Sequence, residues 1–269
     1  MTRTREPCRS EPDAGAYFDD RAERYDRAYD ARGVDGYALR SRMAGALQLL
    51  GSGPGEILDA GMGPGRLLAE LAQRGWAVSG VDASAEMVAA ARSKLPEAAS
   101  RLVQGKIESL PFPDASFDAV VATGVLEYSQ LERALRELAR VLRPGGRAVV
   151  SYPNPGAYYV VWRTRVWYRF VRAAKRVARR PAQTFPGGAP PVRPDRFPEV
   201  LARALLEQER VRYTAFLVVP SPLDELLPRP TEWLGRQLEG SGSRLGRRAS
   251  GQVVYSARKS GPPEPPPHI

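Results

Sequence analysis

The sequence predicts an α/β fold, a doubly wound and mainly parallel sheet of seven strands. Three observations carry this expectation. From Glu56 to Tyr152, short apolar segments alternate with stretches of helical periodicity. The first segment, Glu56-Ile57-Leu58-Asp59-Ala60, runs into a turn with glycine at alternate positions, Gly61-Met62-Gly63-Pro64-Gly65. The second, Val78-Ser79-Gly80-Val81-Asp82, ends about twenty residues further on in an acid at the carboxyl end of a strand, where open sheets of this kind bind ligands.

The remaining elements follow in chain order. Tyr17 to Asp26 is aromatic and charged, and Tyr37 to Leu50 has a helical pattern. After the glycine turn, Arg66 to Arg74 is a helix with Leu67, Leu68 and Leu71 on its buried side, ended by Gly75. Ser84 caps a helix from Ala85 to Lys94, which Pro96 stops. Arg101 to Gln104 is the third strand, and Phe117 to Ala122 the fourth, apolar almost throughout because helices cover both its faces. Leu131 to Leu142 is an amphipathic helix closed by Pro144-Gly145-Gly146, and Arg147 to Tyr152 is the fifth strand. The alternation then breaks. Pro153-Asn154-Pro155-Gly156 opens an insertion, about 154–195, ahead of a helix over Asp195 to Leu206, a sixth strand over Arg210 to Val219 and a short helix around Thr231 to Leu238. Gly251 to Arg258 is the last strand. Residues 1–16 and the Pro-rich stretch 261–269 read as disordered tails around one domain, 17–260.

Composition narrows the function classes. Of 269 residues, 43% are apolar, ample for a core, yet no run approaches the roughly 18 apolar residues that a spanning helix needs. The first thirteen residues are polar, without the apolar centre of a secretion signal, and the one cysteine, Cys8, has no partner for a disulfide. A cytoplasmic setting is the expectation, and the absence of any Cys/His cluster removes a metal centre from consideration. The net charge of +10 is local: Leu138 to Pro194 holds twelve Lys and Arg and no Asp or Glu, which leaves about −2 for the rest. The basicity therefore belongs to one segment and is no general signature of nucleic-acid binding.

The glycine turn decides between nucleotides. A dinucleotide site uses G-x-G-x-x-G, with backbone N–H groups turned to a pyrophosphate. Here the third glycine comes one residue early and Pro64 removes a donor, and no G-x-x-x-x-G-K-[ST] phosphate loop occurs. A nucleoside without phosphates fits better, with Asp82 placed to hydrogen-bond its ribose diol.

The chain resembles the class I S-adenosylmethionine-dependent methyltransferases, in particular the branch with the ubiquinone/menaquinone C-methyltransferases and many natural-product enzymes. The likeness rests on Leu58-Asp59-Ala60-Gly61-Met62-Gly63-Pro64-Gly65, on Gly80-Val81-Asp82-Ala83-Ser84 with Met87, on Leu110-Pro111-Phe112-Pro113-Asp114-Ala115-Ser116-Phe117-Asp118, and on Leu142-Arg143-Pro144-Gly145-Gly146. It covers about residues 17 to 152 and returns near the end. The resemblance implies a Rossmann-like fold whose last strand pairs antiparallel at the sheet edge, and S-adenosyl-L-methionine as cofactor. The cofactor-binding residues it implies are Asp59, Ala60, Gly61, Gly63, Gly65, Asp82, Ala83 and Met87, with Thr123, Gly124 and Val125 around the methionine half. At the place where the family often has an acid for the adenine amine, this chain has Lys106, which only donates. The adenine contact therefore moves to Ile107 and Glu108, with Lys106 in solvent.

A methyl donor that brings its own leaving group leaves the protein mainly to align the acceptor and exclude water. His268, the only histidine, sits in the Pro-rich tail and is no base. Glu127, Tyr128, Tyr152, Tyr17 and Tyr25 are the candidates if a base is used, and the aromatic rings near the N-terminus suit a sulfonium. The leading reading is methyl transfer to carbon or oxygen of a small apolar or aromatic metabolite. Two alternatives stand beside it: an RNA or other macromolecule methyltransferase using the basic insertion, and a relative that keeps the cofactor without turnover. Against the first, the N-P-P-[YFW] motif used on nucleic-acid amines is replaced by Ser151-Tyr152-Pro153-Asn154-Pro155. Within 157–180, Tyr159, Trp162, Val166, Phe170, Ala173, Ala174 and Val177 gather opposite Arg165, Arg169, Arg172, Lys175, Arg176 and Arg179. Such a helix is either a lid over the active site or a peripheral contact with an anionic membrane.

Overall fold

The computed structural model describes residues 14–169, 171, 192–220, 222–239 and 243–261. The expected tails at 1–13 and 262–269, with Cys8 and His268, and the insertion residues Phe170 and 172–191 lie outside the described residues.

The sheet has seven strands: β1 (Glu56–Ala60), β2 (Ala77–Asp82), β3 (Leu102–Gln104), β4 (Phe117–Ala122), β5 (Leu142–Pro153), β6 (Leu206–Phe216) and β7 (Ser250–Lys259). Their order is β3-β2-β1-β4-β5-β7-β6, parallel from β3 to β5. After β1 the chain crosses to β2 on one side, and the following β4 lies on the other. The carboxyl ends of β1, β2 and β4 thus surround the switch point of the sheet, where a crevice opens. β1 and β4 are buried on both faces along most of their length, as their largely apolar text requires.

Helices α1 (Ala14–Asp19), α2 (Ala22–Ala28) and α3 (Val34–Leu50) precede β1, while α4 (Arg66–Gln73), α5 (Ala85–Lys94) and α6 (Leu131–Val141) are crossovers. The Ser84 hydroxyl accepts from the Met87 N–H at 3.1 Å, the cap its position predicts for α5. α3 packs Ala46, Leu47, Leu49 and Leu50 with Ile57, Leu68 and Val121 in one core layer. Leu135 and Leu138 of α6 join Leu58, Val120 and Val150 in the other.

Several expectations are corrected. The tail over 1–16 ends early, because α1 begins at Ala14: Gly15 packs so tightly on Ala83 that a Cβ would stand 2.8 Å from its carbonyl oxygen. Pro144-Gly145-Gly146 does not follow the helix as a turn. It lies inside β5, where the pairing jumps from Phe117↔Leu142 to Ala119↔Arg147 and the extra residues bulge out. β7 is not the edge strand. It runs antiparallel between β5 and β6, and its Val253, Val254, Tyr255 and Ala257 are buried as an interior strand needs. The insertion begins as a helix over Tyr158–Trp162, yet the one residue it buries there is Tyr159, in a small cluster with Tyr37 and Leu217. Trp162 and Val166 are 39% and 48% exposed, so among the described residues the predicted apolar face closes onto the core only at Tyr159.

Candidate active site

One cavity of about 920 Å³ opens over the carboxyl ends of β1, β2 and β4. Its floor is the glycine turn. Gly61 and Gly63 hold φ of 83° and 53°, conformations that favour glycine, and a Cβ on Gly61 would stand 2.6 Å from that of Val125. The turn uses its N–H groups internally. Gly61 and Met62 donate to the Val81 carbonyl (2.8 and 3.1 Å), Gly63 donates to Asp82 Oδ2 (2.8 Å), Gly65 donates to the Met62 carbonyl (3.1 Å), and Pro64 has none to give. No cradle for a phosphate is left, which is the physical content of the irregular glycine spacing.

Two carboxylates stand on the cavity's polar side. Asp82 ties the turn to α5 by accepting from Gly63 and, through Oδ1, from the Ser84 N–H at 2.9 Å. Burial pushes its carboxyl up, and these backbone hydrogen bonds pull it back. Asp59 is 1% exposed and its Oδ1 has no hydrogen-bond partner. Burial first, and the neighbouring charge of Asp82 second, push it up to about 8. An orphaned buried carboxylate oxygen on the wall of a cavity calls for a cation or donor from a ligand.

The opposite wall comes from the N-terminal helices. Phe18, Tyr25 and Tyr29 line the cavity with Tyr128, and Phe18 meets Tyr25 and Tyr128 edge to face at 6.1 and 5.4 Å. Ion pairs and hydrogen bonds hold these helices over the sheet. Asp19 accepts from the Ser84 hydroxyl at 2.6 Å, and Asp26 pairs with Arg66 (2.7 Å) and Lys94 (2.9 Å). Burial raises the Asp26 carboxyl, but its hydrogen bonds to Arg66 and Lys94 hold it below its usual value.

Of the predicted cofactor residues, Asp59, Gly61, Gly63, Asp82, Ala83, Met87, Ile107, Glu108, Thr123, Gly124 and Val125 line this cavity. Ala60 and Gly65 do not. Ala60 is fully buried in the core, and Gly65 starts α4 with φ 80°, its absent Cβ leaving room for Ala91 of α5. Lys106 is exposed as expected, but it stands on the cavity wall rather than clear of it. Glu108 Oε1 accepts from the Gln130 N–H at 2.9 Å, so that oxygen is already engaged.

The base candidates separate. Tyr25 and Tyr128 face the cavity, whereas Tyr17 lies under the Arg21 guanidinium (3.9 Å) and Tyr152 is buried against Phe197. Glu127 is off the wall, with Oε2 buried and unpartnered, and burial pushes its carboxyl up against the pull of Arg42. Burial also raises the Tyr128 and Tyr152 phenols, so neither ionises near neutral pH. None of the described insertion residues lines the cavity, so the described part of the expected lid is not a lid. The sequence reading missed Tyr29, Met62 and Leu67 on the wall, and Arg42 behind it. Arg42 had a signal: with Ala46, Leu49 and Leu50 it stands at i, i+4, i+7 and i+8, a charge on an apolar stripe.

Residues 58–150 match a family model described as a methyltransferase domain. A demethylmenaquinone methyltransferase of Beutenbergia cavernae is 40% identical over 141 residues, 52% of this chain and 57% of that protein. Its namesake from Thermus thermophilus is 40% identical over 136 residues, covering 48% and 62%. Over residues 58–150 the chain is therefore a methyltransferase domain, of the S-adenosylmethionine-dependent class I type. The domain matches somewhat over half the length of these curated relatives. In fold it extends further. A S-adenosylmethionine-dependent methyltransferase from Thermotoga maritima superposes on 91% of this chain and 99% of its own with a TM-score of 0.60, at 21% identity.

Proposed function

We propose that the protein transfers the methyl group of S-adenosylmethionine to carbon or oxygen of a small, flat, apolar or aromatic acceptor. The observation that carries this is a single cavity with two unlike ends: a polar floor of glycine turn, Asp59 and Asp82, facing a wall of four aromatic rings. Asp82, on the cavity wall, takes the ribose diol beside its backbone hydrogen bonds. Asp59 Oδ1 takes the ammonium, and Ile107 and Glu108 flank the adenine. The cofactor supplies a methyl on a sulfonium and its own leaving group. Phe18, Tyr25, Tyr29 and Tyr128 offer π-faces to that cation and to a planar acceptor, and they exclude water from the transfer. With the Tyr29 and Tyr128 phenols raised by burial, these residues act by position.

The names of the curated relatives favour a quinone-like acceptor, which the aromatic wall suits. Contact with an anionic lipid surface belongs to the same reading: the basic stretch beyond Tyr158 exposes Trp162 and Val166, and an apolar acceptor dissolves in lipid. To test the function, the protein is incubated with lipid and polar metabolite extracts and methyl-labelled donor, and the products are analysed by mass. A labelled, chloroform-soluble product supports the reading, and label confined to RNA or protein refutes it. Flotation with anionic but not neutral vesicles, lost at high salt, tests the lipid contact.

A further inference from the structure

We propose that three successive helices after β6, Leu223–Leu226, Pro228–Leu238 and Arg244–Ala249, form a face that docks on an anionic lipid bilayer, with Leu226, Trp233 and Leu245 entering it. The inference rests on the lipid contact proposed above and gives it a folded surface outside the insertion. Each of these helices is built inside out. A surface helix ordinarily turns its large apolar side chains to the core. The helix over Pro228–Leu238 buries Thr231 and Gly235 instead, and leaves Trp233 61% exposed. Packing requires this: a Cβ on Gly235 would stand 2.6 Å from the Tyr37 ring and 2.7 Å from the Phe216 carbonyl oxygen, so only the small side of the helix fits the core. The short helix before it buries Asp224, which accepts from the Tyr159 hydroxyl at 2.5 Å, and leaves Leu226 71% exposed. The helix after it buries Gly246 and Ala249 and leaves Leu245 79% exposed. One exposed leucine is ordinary, but three reversed helices in a row present apolar surface that calls for a partner.

Topology places this face at the mouth of the cavity. β7 runs antiparallel between β5 and β6, so the carboxyl ends of β5 and β6 and the start of β7 share the end of the sheet at which the cavity opens. The first two helices follow β6 there, and the third leads into β7. Arg40 donates to Glu232 at 2.8 Å and to the carbonyl of Tyr29, a cavity-wall residue, at 2.6 Å, which ties the face to the aromatic wall.

Charge says which partner. Arg244, Arg247 and Arg248 are exposed, and among the described residues none of them forms an ion pair. Between residues 240 and 263 the sequence has no Asp or Glu. Asn154 Nδ2 donates to the Arg247 carbonyl at 2.9 Å, so this helix adjoins the start of the basic insertion, whose Arg165 and Arg169 are exposed as well. Arginines beside Trp and Leu match phosphate headgroups over hydrocarbon, with Trp at the boundary. A second copy docking through the same face across a two-fold axis would instead set two such arginine clusters together.

The full chain is floated with vesicles of phosphatidylcholine alone or mixed with phosphatidylglycerol, and the wild type is expected to bind only the mixed ones. Leu226→Gln, Trp233→Gln and Leu245→Gln combined should weaken this binding at least about tenfold, because even partial burial of three large apolar side chains contributes that much. Arg244→Gln, Arg247→Gln and Arg248→Gln combined should weaken it and flatten its salt dependence. All six positions are exposed and off the cavity wall, so both variants should keep the wild-type Tm and affinity for S-adenosylhomocysteine. An apolar variant that binds mixed vesicles as the wild type does overturns the proposal and leaves the contact to the insertion, while a wild type that binds no vesicles overturns both. A wild-type dimer in analytical ultracentrifugation that the apolar variant converts to monomer also overturns it, with a second copy as the occupant. The acceptor is judged apart, by the labelled lipid product: vesicle binding without that product supports this face and defeats the acceptor reading, and product without vesicle binding does the reverse.

Discussion

Replacing Asp82 by Ala tests the centre of the site in two separable ways. In the folded protein the carboxylate accepts from Gly63 N–H at 2.8 Å and Ser84 N–H at 2.9 Å, so the substitution strips both donors of their acceptor. A hydrogen bond to a charged group contributes roughly 1.5–3 kcal/mol, which sets the gross loss at about 3–6 kcal/mol. Relief of the burial that raises the Asp82 carboxyl offsets part of it, and a net loss of about 2 kcal/mol, within the usual range for a substitution that breaks buried hydrogen bonds, is expected. For a chain of this size that lowers Tm by about 4–8 °C. Binding falls separately, because an unpaired ribose diol costs about 1–3 kcal/mol, or roughly five- to 150-fold in the Kd of S-adenosylhomocysteine. Scanning calorimetry reads the first effect and titration calorimetry the second. Asp82→Asn, which keeps one acceptor oxygen, should fall between wild type and Ala in both. A variant with wild-type Tm and wild-type affinity refutes the whole account; a lowered Tm with unchanged affinity refutes the ribose assignment alone.

Asp59 makes both stability and binding depend on pH. Its folded-state value is raised from 3.8 to about 8, so between these pH values the folded state holds a proton that the unfolded chain has released. Stability of the free protein is therefore expected to fall as pH rises through this window and to level off above it, while Asp59→Asn flattens the profile; a wild-type profile already flat from pH 5 to 8 contradicts the assignment. Pairing with an ammonium favours the ionised form, so binding of S-adenosylhomocysteine at pH 6.5 should release close to one proton, read from calorimetry in buffers of different ionisation enthalpy. Gly61→Ala is expected to lose more than about 2 kcal/mol, from φ of 83° and from the 2.6 Å approach to Val125 Cβ, and Val125→Ala added to it, which removes the γ-methyls at 2.7 and 3.0 Å and keeps Cβ, should recover only part of the steric share. Chemical denaturation checks both, and full rescue would show that backbone strain is absent. Tyr152→Phe, remote from the cavity, should leave S-adenosylhomocysteine affinity unchanged, and a tenfold loss would restore Tyr152 as a site residue.

The sequence by itself determined the core of this protein, because its determinants are local. Alternation of apolar strands with periodic helices, Ser84 ahead of α5 and continuous burial of β4 follow from backbone and side-chain preferences over a few residues, and all are realised. The glycine turn and Asp82 were legible for the same reason, since positive φ and an acid at a strand end leave a mark in the text itself. Tertiary structure alone decided what depends on contacts between distant segments. β7 lies inside the sheet because it finds partners in β5 and β6, a choice that no single-strand pattern contains. α1 and α2 rather than the described insertion wall the cavity, because Asp19 and Asp26 meet Ser84, Arg66 and Lys94 across 40 to 68 positions of chain. The burial that raises Asp59, and the approach of Arg42 to Gly124, arise only once those helices close over the strand ends, since desolvation and charge proximity are properties of the assembled site.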